Sequence, residues 1–436
     1  MQISKITSAL VALQTVAAHT VFTTLLINDV NQGDGTCVRM PLNPPTATAP
    51  VNDLASNDMV CGFDGTNGVA RVCPAPKGAK LSFTYRLYPD GSQPGALDPN
   101  HKGPCAVYMK HVESAINDTG VGDGWFKVWE EGYDEGKRQW CTEKLIHNDG
   151  ILSVKIPDGL AGGYYLVRPE VLSLHESDKT PANPQFYVGC AQVFLDAPAT
   201  TLPKDTVSIP GYVKISDPEV LFNIYTPKFP YKPPGPAVYQ PGVSASKEIA
   251  ATAKPTEEQI PKGVVLTNAN WMGIEVPQFS TADGCDQAAE DCWAQSKVCF
   301  DTAPPTGSAN CKIWEAKCEG IRSTCKNPAA GVPSMGKAPT QDPSPPATAS
   351  SSTAPEPKVN VAQVKSAPGS TPSLPVSRSG GCGSSTLGET CKGSVFGDCC
   401  SEHGYCGKMP SYCGLGCQKD FGECRKSKRD GRFIVR

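Results

Sequence analysis

The chain has 436 residues, with 43 acidic and 40 basic side chains and a formal net charge of -3 at neutral pH. This balance gives no reason to expect a nucleic acid or an anionic membrane as the partner. Its 20 cysteines favour a disulfide-bonded protein of an oxidising compartment, because the same number in a cytosolic chain would suggest metal sites. A chain of this length predicts two or three domains.

Residues 1–18 have the order of a secretory signal peptide: one basic residue, an apolar run, then two alanines. The run is too short to span a bilayer, so we expect a soluble, secreted, extracellular protein. Cleavage after Ala18 would give His19 a free amine beside its imidazole. These two nitrogens can chelate one metal ion, and a third nitrogen in a tetragonal arrangement favours copper. His19 is therefore a candidate copper ligand.

Residues 19–236 carry short alternating runs. In "KLSFTYRL" (80–87) and "ILSVKIP" (151–157), apolar and polar residues alternate, and similar runs follow at "YYLVRPEVLSLH" and "QFYVGCAQVFL". Glycine, proline, asparagine and aspartate separate them. This rhythm predicts a mainly β domain, a sandwich or a barrel with large loops.

Four further side chains in this domain are candidate site residues. His101 lies in a polar loop before a strand, where a solvated histidine is the alternative interpretation. Gln185 and Tyr187 alternate onto one face of a strand, so an amide and a phenol can project together. A core aromatic is the alternative for Tyr187, and a strand-end hydrogen bond is the alternative for His175.

The region 237–328 contains two triplets of cysteines spaced seven residues apart: Cys285, Cys292 and Cys299, then Cys311, Cys318 and Cys325. Seven residues are nearly two helical turns, so each triplet lies on one helix face. "PPTG" at 304–307 turns the chain back. Unless the spacing is a coincidence, it predicts an antiparallel helical hairpin with a structural or surface-binding role. Its expected disulfides are Cys285–Cys325, Cys292–Cys318 and Cys299–Cys311.

The last hundred residues divide into three segments. Residues 329–380 are rich in proline, serine, threonine and alanine, which predicts an extended, O-glycosylated linker. Residues 381–425 hold eight cysteines, enough to staple a very small domain. Residues 426–436 form a basic tail, which we interpret as a solvated terminus; contact with anionic wall polymers is the alternative.

The motifs of the first domain resemble a known family. His19, "HKGPC" around His101, "GWFKVWEEGYD" (124–134), "GLAGGYYLVRPEVLSLH" and "QFYVGC" together resemble the fungal lytic polysaccharide monooxygenases of auxiliary activity family 9, formerly glycoside hydrolase family 61. The resemblance covers roughly residues 19–236 and implies an immunoglobulin-like β-sandwich with a flat copper surface. The amine and side chain of His19 and the side chain of His101 would then bind one copper ion as a histidine brace.

The same resemblance implies roles for the other candidates and for the reaction. It carries Tyr187 to the axial position of copper, and His175 and Gln185 to positions that hold and protonate oxygen species. It implies O2 or H2O2 as co-substrate, an external electron donor, and oxidation of cellulose or another β-1,4-glucan at C1 or C4. It also implies the disulfide Cys61–Cys190. The pairing of the other cysteines of this domain stays open: Cys37, Cys73, Cys105 and Cys141. The chain departs from many members, which read Arg-His-Glu, by having proline at position 169.

Residues 382–424 resemble the hevein-like chitin-binding domain, carbohydrate-binding module family 18. The implied disulfides are Cys382–Cys400, Cys391–Cys406, Cys399–Cys413 and Cys417–Cys424, and the implied sugar site is Ser401, His403, Tyr405 and Tyr412. Aromatic faces there would stack on pyranose rings, although His403 stands where many members have tryptophan. A purely structural disulfide-rich knot is the alternative.

Together these features predict a secreted, monomeric copper monooxygenase of β-1,4-glucan with a chitin-binding anchor. The alternatives are a chitin- or fungal-wall-directed oxidase and a non-catalytic copper- or wall-binding protein. A glycosidase is a weaker alternative, because the acidic pairs at 130–131 and 134–135 are only close in sequence. Asn117 lies in the chain's one glycosylation sequon without proline at the middle position, so it is a candidate for an N-glycan.

Overall fold

The computed structural model describes residues 19–250, 260–328 and 331–333, and short stretches farther on: 374–377, 382–383, 389–394, 397–400, 406–407, 413 and 417–424. The predicted signal peptide, nearly all of the linker and the basic tail lie outside the described residues. The chain divides into two compact units, residues 1–349 and 350–436, which we describe separately.

Residues 19–250 are mainly β. The strands in chain order are β1 (Val21–Ile27), β2 (Val30–Asp34), β3 (Val38–Arg39), β4 (Cys73–Pro76), β5 (Lys80–Arg86), β6 (Cys105–Val112), β7 (Gly122–Glu131), β8 (Tyr133–Asp134), β9 (Gln139–Trp140), β10 (Ile151–Lys155), β11 (Gly163–Ser173), β12 (Gln185–Val188), β13 (Cys190–Asp196), β14 (Thr201–Pro203), β15 (Val207–Ile209) and β16 (Ser246–Glu248). Two short helices, α1 (Asp58–Cys61) and α2 (Cys141–His147), and a 3-10 turn at Pro44–Thr46 lie in the connections.

Two large sheets form within this part of the chain. One has four strands in the order β10-β5-β1-β2, and the other has eight, with the path β15-β7-β6-β11-β13-β3, β12 beside β11 and β4 beside β13. The β1–β2 hairpin turns at Asn28 and Asp29, both with positive φ, as a tight two-residue turn requires. The mainly β sandwich expected from the alternating runs is confirmed, and β5, β10 and β11 lie where those runs predict them.

The eight-stranded sheet is covered on both faces, so β11 is almost continuously buried, including its charged residues Arg168 and Glu170. Its inner face shares a core with the smaller sheet, where Phe83 and Val167 belong to one buried cluster. Its outer face carries a second cluster, in which Leu166 and Trp125 pack with Val213 of the segment that follows β15. Because side chains alternate in direction along a strand, neighbouring residues point into opposite cores.

Pro169 lies at a junction in β11. On one side β11 pairs with β6 without interruption, with Pro169 opposite Val107. On its other side β11 pairs with β13 as far as Val167 and with β12 from Glu170 onward. Proline has no N–H to give a ladder, so it fits where the pairing is interrupted.

Each cysteine of the first domain has a partner. Cys61 pairs with Cys190, the pair implied by the family resemblance, and the open set resolves into Cys37–Cys73 and Cys105–Cys141.

The helical hairpin expected from the heptad spacing is confirmed. Helices α3 (Ala282–Asp301) and α4 (Ala309–Thr324) are joined by Cys285–Cys325, Cys292–Cys318 and Cys299–Cys311. A β-hairpin precedes them, β17 (Val264–Asn268) and β18 (Trp271–Ile274), and packs Trp271 edge-on against Trp314.

The turn of that β-hairpin is bonded to the sandwich. The Asn270 side chain accepts from Cys37 N at 2.8 Å and donates to Gly35 O at 2.7 Å and Val38 O at 3.2 Å. Arg71 adds a bond to the Ala269 carbonyl at 3.1 Å. The hairpin region is therefore fixed to the edge of the sandwich beside β3.

The second unit is a small disulfide-rich fold. Strands β19 (Cys399–Cys400) and β20 (Cys406–Gly407) pair within it, and its buried cluster consists of cysteines packed by Phe421. Its disulfides are Cys382–Cys400, Cys391–Cys406, Cys399–Cys413 and Cys417–Cys424, as the hevein resemblance implies. No helix among the described residues combines the length and apolar character needed to cross a bilayer.

Candidate metal centre

Strand register brings the histidines together. β6 and β11 run antiparallel with Cys105 opposite Val171, and the pairing continues beyond the strands because Leu174 N donates to Lys102 O at 2.9 Å. The loop before β6 and the loop after β11 therefore meet, and the imidazoles of His101 and His175 lie with centres 4.2 Å apart. β12 places Tyr187 opposite Val171, at the same end of the sheet.

His19 reaches this end from the other sheet, directly before β1. Its neighbour Thr20 is buried and donates to Ala96 O at 2.5 Å, which fixes the start of the strand. The His19 ring centre lies 6.1 Å from that of His101 and 6.1 Å from that of Tyr187, and His101 and Tyr187 are 5.9 Å apart. The three rings surround one common point.

His101 provides the clearest sign of a missing ligand. Its side chain is 4% exposed, and among the described residues neither of its ring nitrogens has a hydrogen-bond partner. The Asp98 carboxylate is 3.8 Å from Nδ1. The Gln185 side chain also acts on this ring. A buried polar group left unpaired costs about 1–3 kcal/mol, so a metal ion bound to one of these nitrogens would relieve that cost.

The donors fit copper. Imidazole nitrogens bind such ions at about 2.0 Å, so one ion fits between two rings whose centres are 6.1 Å apart. Nitrogen donors of this kind favour copper over the other divalent first-row metals.

Burial lowers the pKa of all three imidazoles. For His101 burial lowers the pKa to about 4, and the neighbouring His175 ring acts in the same direction. Burial also lowers the pKa of His19 and His175, against the opposing charge of Glu176. All three rings are therefore neutral at neutral pH, which is the form that binds metals.

Tyr187 and Gln185 form a hydrogen-bonded pair. The buried Tyr187 hydroxyl donates to Gln185 Oε1 at 2.7 Å, as expected for side chains that share one strand face. Burial, and then the charge of Glu176, raises the pKa of Tyr187, so its phenol stays protonated. Ser173 Oγ lies 2.7 Å from His175 Nδ1 and orients that ring.

Three residues at this site were missed by sequence reasoning. Glu176 follows His175, and its Oε2 accepts from Asn183 at 2.5 Å and from Gln185 at 3.3 Å. Tyr225, which is 61% exposed, donates to the His175 carbonyl at 3.0 Å from the segment after β15. Glu176 and Asn183 lie in a loop and Tyr225 is far away in the sequence, so none of them belongs to a periodic pattern. The one hint in the sequence was that Glu176 and Asn183 are close to His175 and Gln185.

Two cavities of the described part of the chain lie away from the histidines. In the described part of the chain, a cavity of about 200 Å³ lies between α2 and β10, and a groove of about 600 Å³ lies between β18 and α3. Neither is lined by His19, His101 or Tyr187.

The remaining candidates are Asn117 and the residues of the C-terminal unit. Asn117 is exposed in the loop between β6 and β7. The sugar-site candidates Ser401, His403, Tyr405 and Tyr412 lie outside the described residues. The sulfurs of Cys382, Cys391 and Cys400 lie within 4.8 Å of one another, but each cysteine is in a disulfide and cannot serve as a thiolate ligand.

Fold and site define a β-sandwich protein with a cluster of neutral histidines at one end of its sheets. Comparison with known proteins agrees with this description of the fold and the site. Residues 19–232 match the model of Auxiliary Activity family 9 (formerly GH61). The chain is 54% identical to AA9 family lytic polysaccharide monooxygenase H of Botryotinia fuckeliana (strain B05.10), over 97% of this chain and 100% of the relative. It is 47% identical to AA9 family lytic polysaccharide monooxygenase C of Aspergillus tamarii, over 75% of this chain and 90% of the relative.

The chain therefore belongs to auxiliary activity family 9 of the lytic polysaccharide monooxygenases. It is an oxidoreductase of a copper-dependent family that cleaves polysaccharides with an external reductant.

Proposed function

We propose that this protein is a secreted, monomeric monooxygenase that cleaves cellulose or another β-1,4-glucan at C1 or C4, with copper held by the terminal amine and side chain of His19 and the side chain of His101. The observation that carries the proposal is the buried His101 ring, whose unpartnered nitrogens lie beside the ring of His19. Processing after Ala18 would create the amine.

Copper bound there would cycle between two oxidation states and use O2 or H2O2 to oxidise a C–H bond of the sugar chain. The protein's own residues would fix the site around it. Tyr187 would present its phenolic oxygen to the ion, because its proton is committed to Gln185 Oε1. His175, held at Nδ1 by Ser173, would offer its other nitrogen to hold or donate a proton beside the reacting oxygen.

A flat, crystalline polysaccharide needs an open site, and two observations support such a substrate. Two cavities of the described chain lie away from the histidines, and the exposed Tyr225 donates its hydroxyl to the His175 carbonyl at 3.0 Å. A tyrosine in this position offers an aromatic face and a hydroxyl to a glucan chain.

The C-terminal unit would act as an anchor on chitin. Its four disulfides agree with the pairing of the module that it resembles, and Ser401, His403, Tyr405 and Tyr412 would form a shallow stacking groove. An N-glycan at Asn117 is compatible with its exposure.

Chitin, or a glucan of the fungal wall, is the second candidate substrate, because the anchor resembles a chitin-binding module. A glycosidase is not supported, since Glu130 is paired with Lys127, Glu131 with Lys144 and Asp134 with Lys137. A non-catalytic copper- or wall-binding protein would have no need of the Tyr187–Gln185 pair beside the histidines.

The test is to incubate the copper-loaded, processed protein and a reductant with cellulose and, separately, with chitin. Mass spectrometry of the released sugars would show oxidised oligosaccharides from cellulose if the proposal is right. Oxidised products from chitin alone would overturn the substrate assignment, and none from either polymer would overturn the enzymatic one.

A further inference from the structure

Glu176 lies at the end of a hydrogen-bonded chain that leads to the metal centre. Tyr187 donates to Gln185 Oε1 at 2.7 Å, and Gln185 Nε2 donates to Glu176 Oε2 at 3.3 Å. Asn183 Nδ2 donates to the same carboxylate oxygen at 2.5 Å, and Asn52 donates to Asn183 Oδ1 at 2.7 Å. The carboxylate is thus held in place from two sides.

The backbone holds this arrangement as well. The loop between β11 and β12 runs from Leu174 to Pro184, and it is closed by a bond from Asn183 N to Glu176 O at 3.0 Å. Glu176 and Asn183 therefore face each other across the neck of the loop that carries His175 and leads into Gln185, the first residue of β12. A change in one of them alters the site without touching a copper-binding residue.

The donors and acceptors allow only one orientation of the Gln185 amide. A carboxylate can only accept, so it must face the amide nitrogen, and the amide oxygen is left to accept from Tyr187. The nitrogen carries a second N–H, and the Gln185 side chain also interacts by hydrogen bonding with His101, the proposed copper ligand. If the side chain at position 176 could also donate a hydrogen bond, the Gln185 amide could rotate by half a turn. The amide oxygen would then take the place of the second N–H.

We propose that Glu176 is a positioning residue for the oxidation, which fixes the Gln185 amide with its oxygen on Tyr187 and one N–H available at the copper. The inference rests on the proposed function, since it assumes copper at His19 and His101. It assigns Glu176 no contact with the substrate or the metal.

The test compares Glu176→Gln with Asp178→Asn, which removes the same charge from an exposed position of the same loop. Glu176→Asp is the second variant, because it keeps the charge but is one methylene too short to hold the amide. In the copper-free proteins, the Gln185 side-chain amide resonances should shift in both Glu176 variants and stay in place in Asp178→Asn.

With copper bound, the electron paramagnetic resonance spectrum should change in both Glu176 variants, and the oxidation rate should fall about tenfold, as for other residues that orient a metal site. Copper affinity and the melting temperature should stay near the wild-type values. Unchanged amide resonances and spectra in Glu176→Gln, or a Glu176→Asp protein that behaves as wild type, would overturn the inference. A wild-type protein that fails to bind copper would instead refute the proposed function.

Discussion

The rings of His19 and His101 lie with their centres 6.1 Å apart, although one residue precedes the first strand of the small sheet and the other precedes a central strand of the large one. The two sheets of the sandwich thus each contribute one imidazole to the same point. A metal ion bound there joins the sheets at one end, and its affinity depends on both rings.

His101→Gln should weaken copper binding by about a hundredfold, because it removes one of the proposed nitrogen donors. Isothermal titration calorimetry on the processed protein measures this directly. The matched control is His147→Gln, at an exposed histidine of α2 that contacts Gln139. Equal affinity in the His101 variant and the wild type would contradict the assignment.

The stability of the copper-free protein should depend on pH through His101. Its pKa is about 4 in the folded chain against an ordinary value of 6.5, so the unfolded chain binds the proton more readily. The stabilisation is therefore complete above pH 6.5 and is lost as the pH falls towards 4, by about 3 kcal/mol. Urea unfolding across this range should show a smaller loss in His101→Gln; an identical pH profile would be evidence against the effect.

A buried ion pair supports the outer face of the large sheet. Arg168 and Glu170 are both buried, and Arg168 NH1 lies 2.5 Å from Glu170 Oε2. Tyr212, in the segment after β15, donates to the same carboxylate. Glu170→Ala leaves the buried guanidinium without its counter-charge, with only backbone carbonyls and the Tyr212 hydroxyl as partners, and should reduce the free energy of unfolding by about 3–5 kcal/mol.

Chemical denaturation of Glu170→Ala checks this value. The control is Glu113→Ala at an exposed position, which should change the stability by less than about 0.5 kcal/mol. A similarly small loss in Glu170→Ala would mean that the pair contributes little.

The sequence predicted the regular and local features well. Alternation predicted β5 and β10, and the seven-residue spacing predicted the cross-linked pair α3 and α4, because both follow from periodicity. His19 became a candidate through its position after the predicted cleavage site, but only the family resemblance joined it with His101 in one site, since nothing local in the chain brings the two together.

Long-range relationships were not accessible in this way. Glu176 orients Gln185 through a loop conformation, and Tyr225 reaches His175 from the segment after β15. The attachment of the hairpin region through Asn270 depends on three sandwich residues more than 200 positions earlier in the chain. Such contacts depend on the whole fold, and no spacing in the sequence reports them.

Asn270→Ala should loosen the hairpin region from the sandwich, because it removes three hydrogen bonds and leaves Cys37 N without its acceptor. We expect a loss of about 1–3 kcal/mol and faster proteolysis between the two parts. Asn327→Ala, at an exposed position after α4, is the matched control. Limited proteolysis that proceeds at the same rate in both variants would show that the attachment does not depend on Asn270.

The most direct test of the account is the copper affinity of two proteins that differ by one residue at the amino terminus, one beginning at His19 and the other at Ala18. We expect tight copper binding and oxidised cellulose fragments only from the protein that begins at His19, with the same melting temperature for both copper-free forms. Equal affinity and equal activity in the two proteins would contradict the claim that the His19 amine binds the metal.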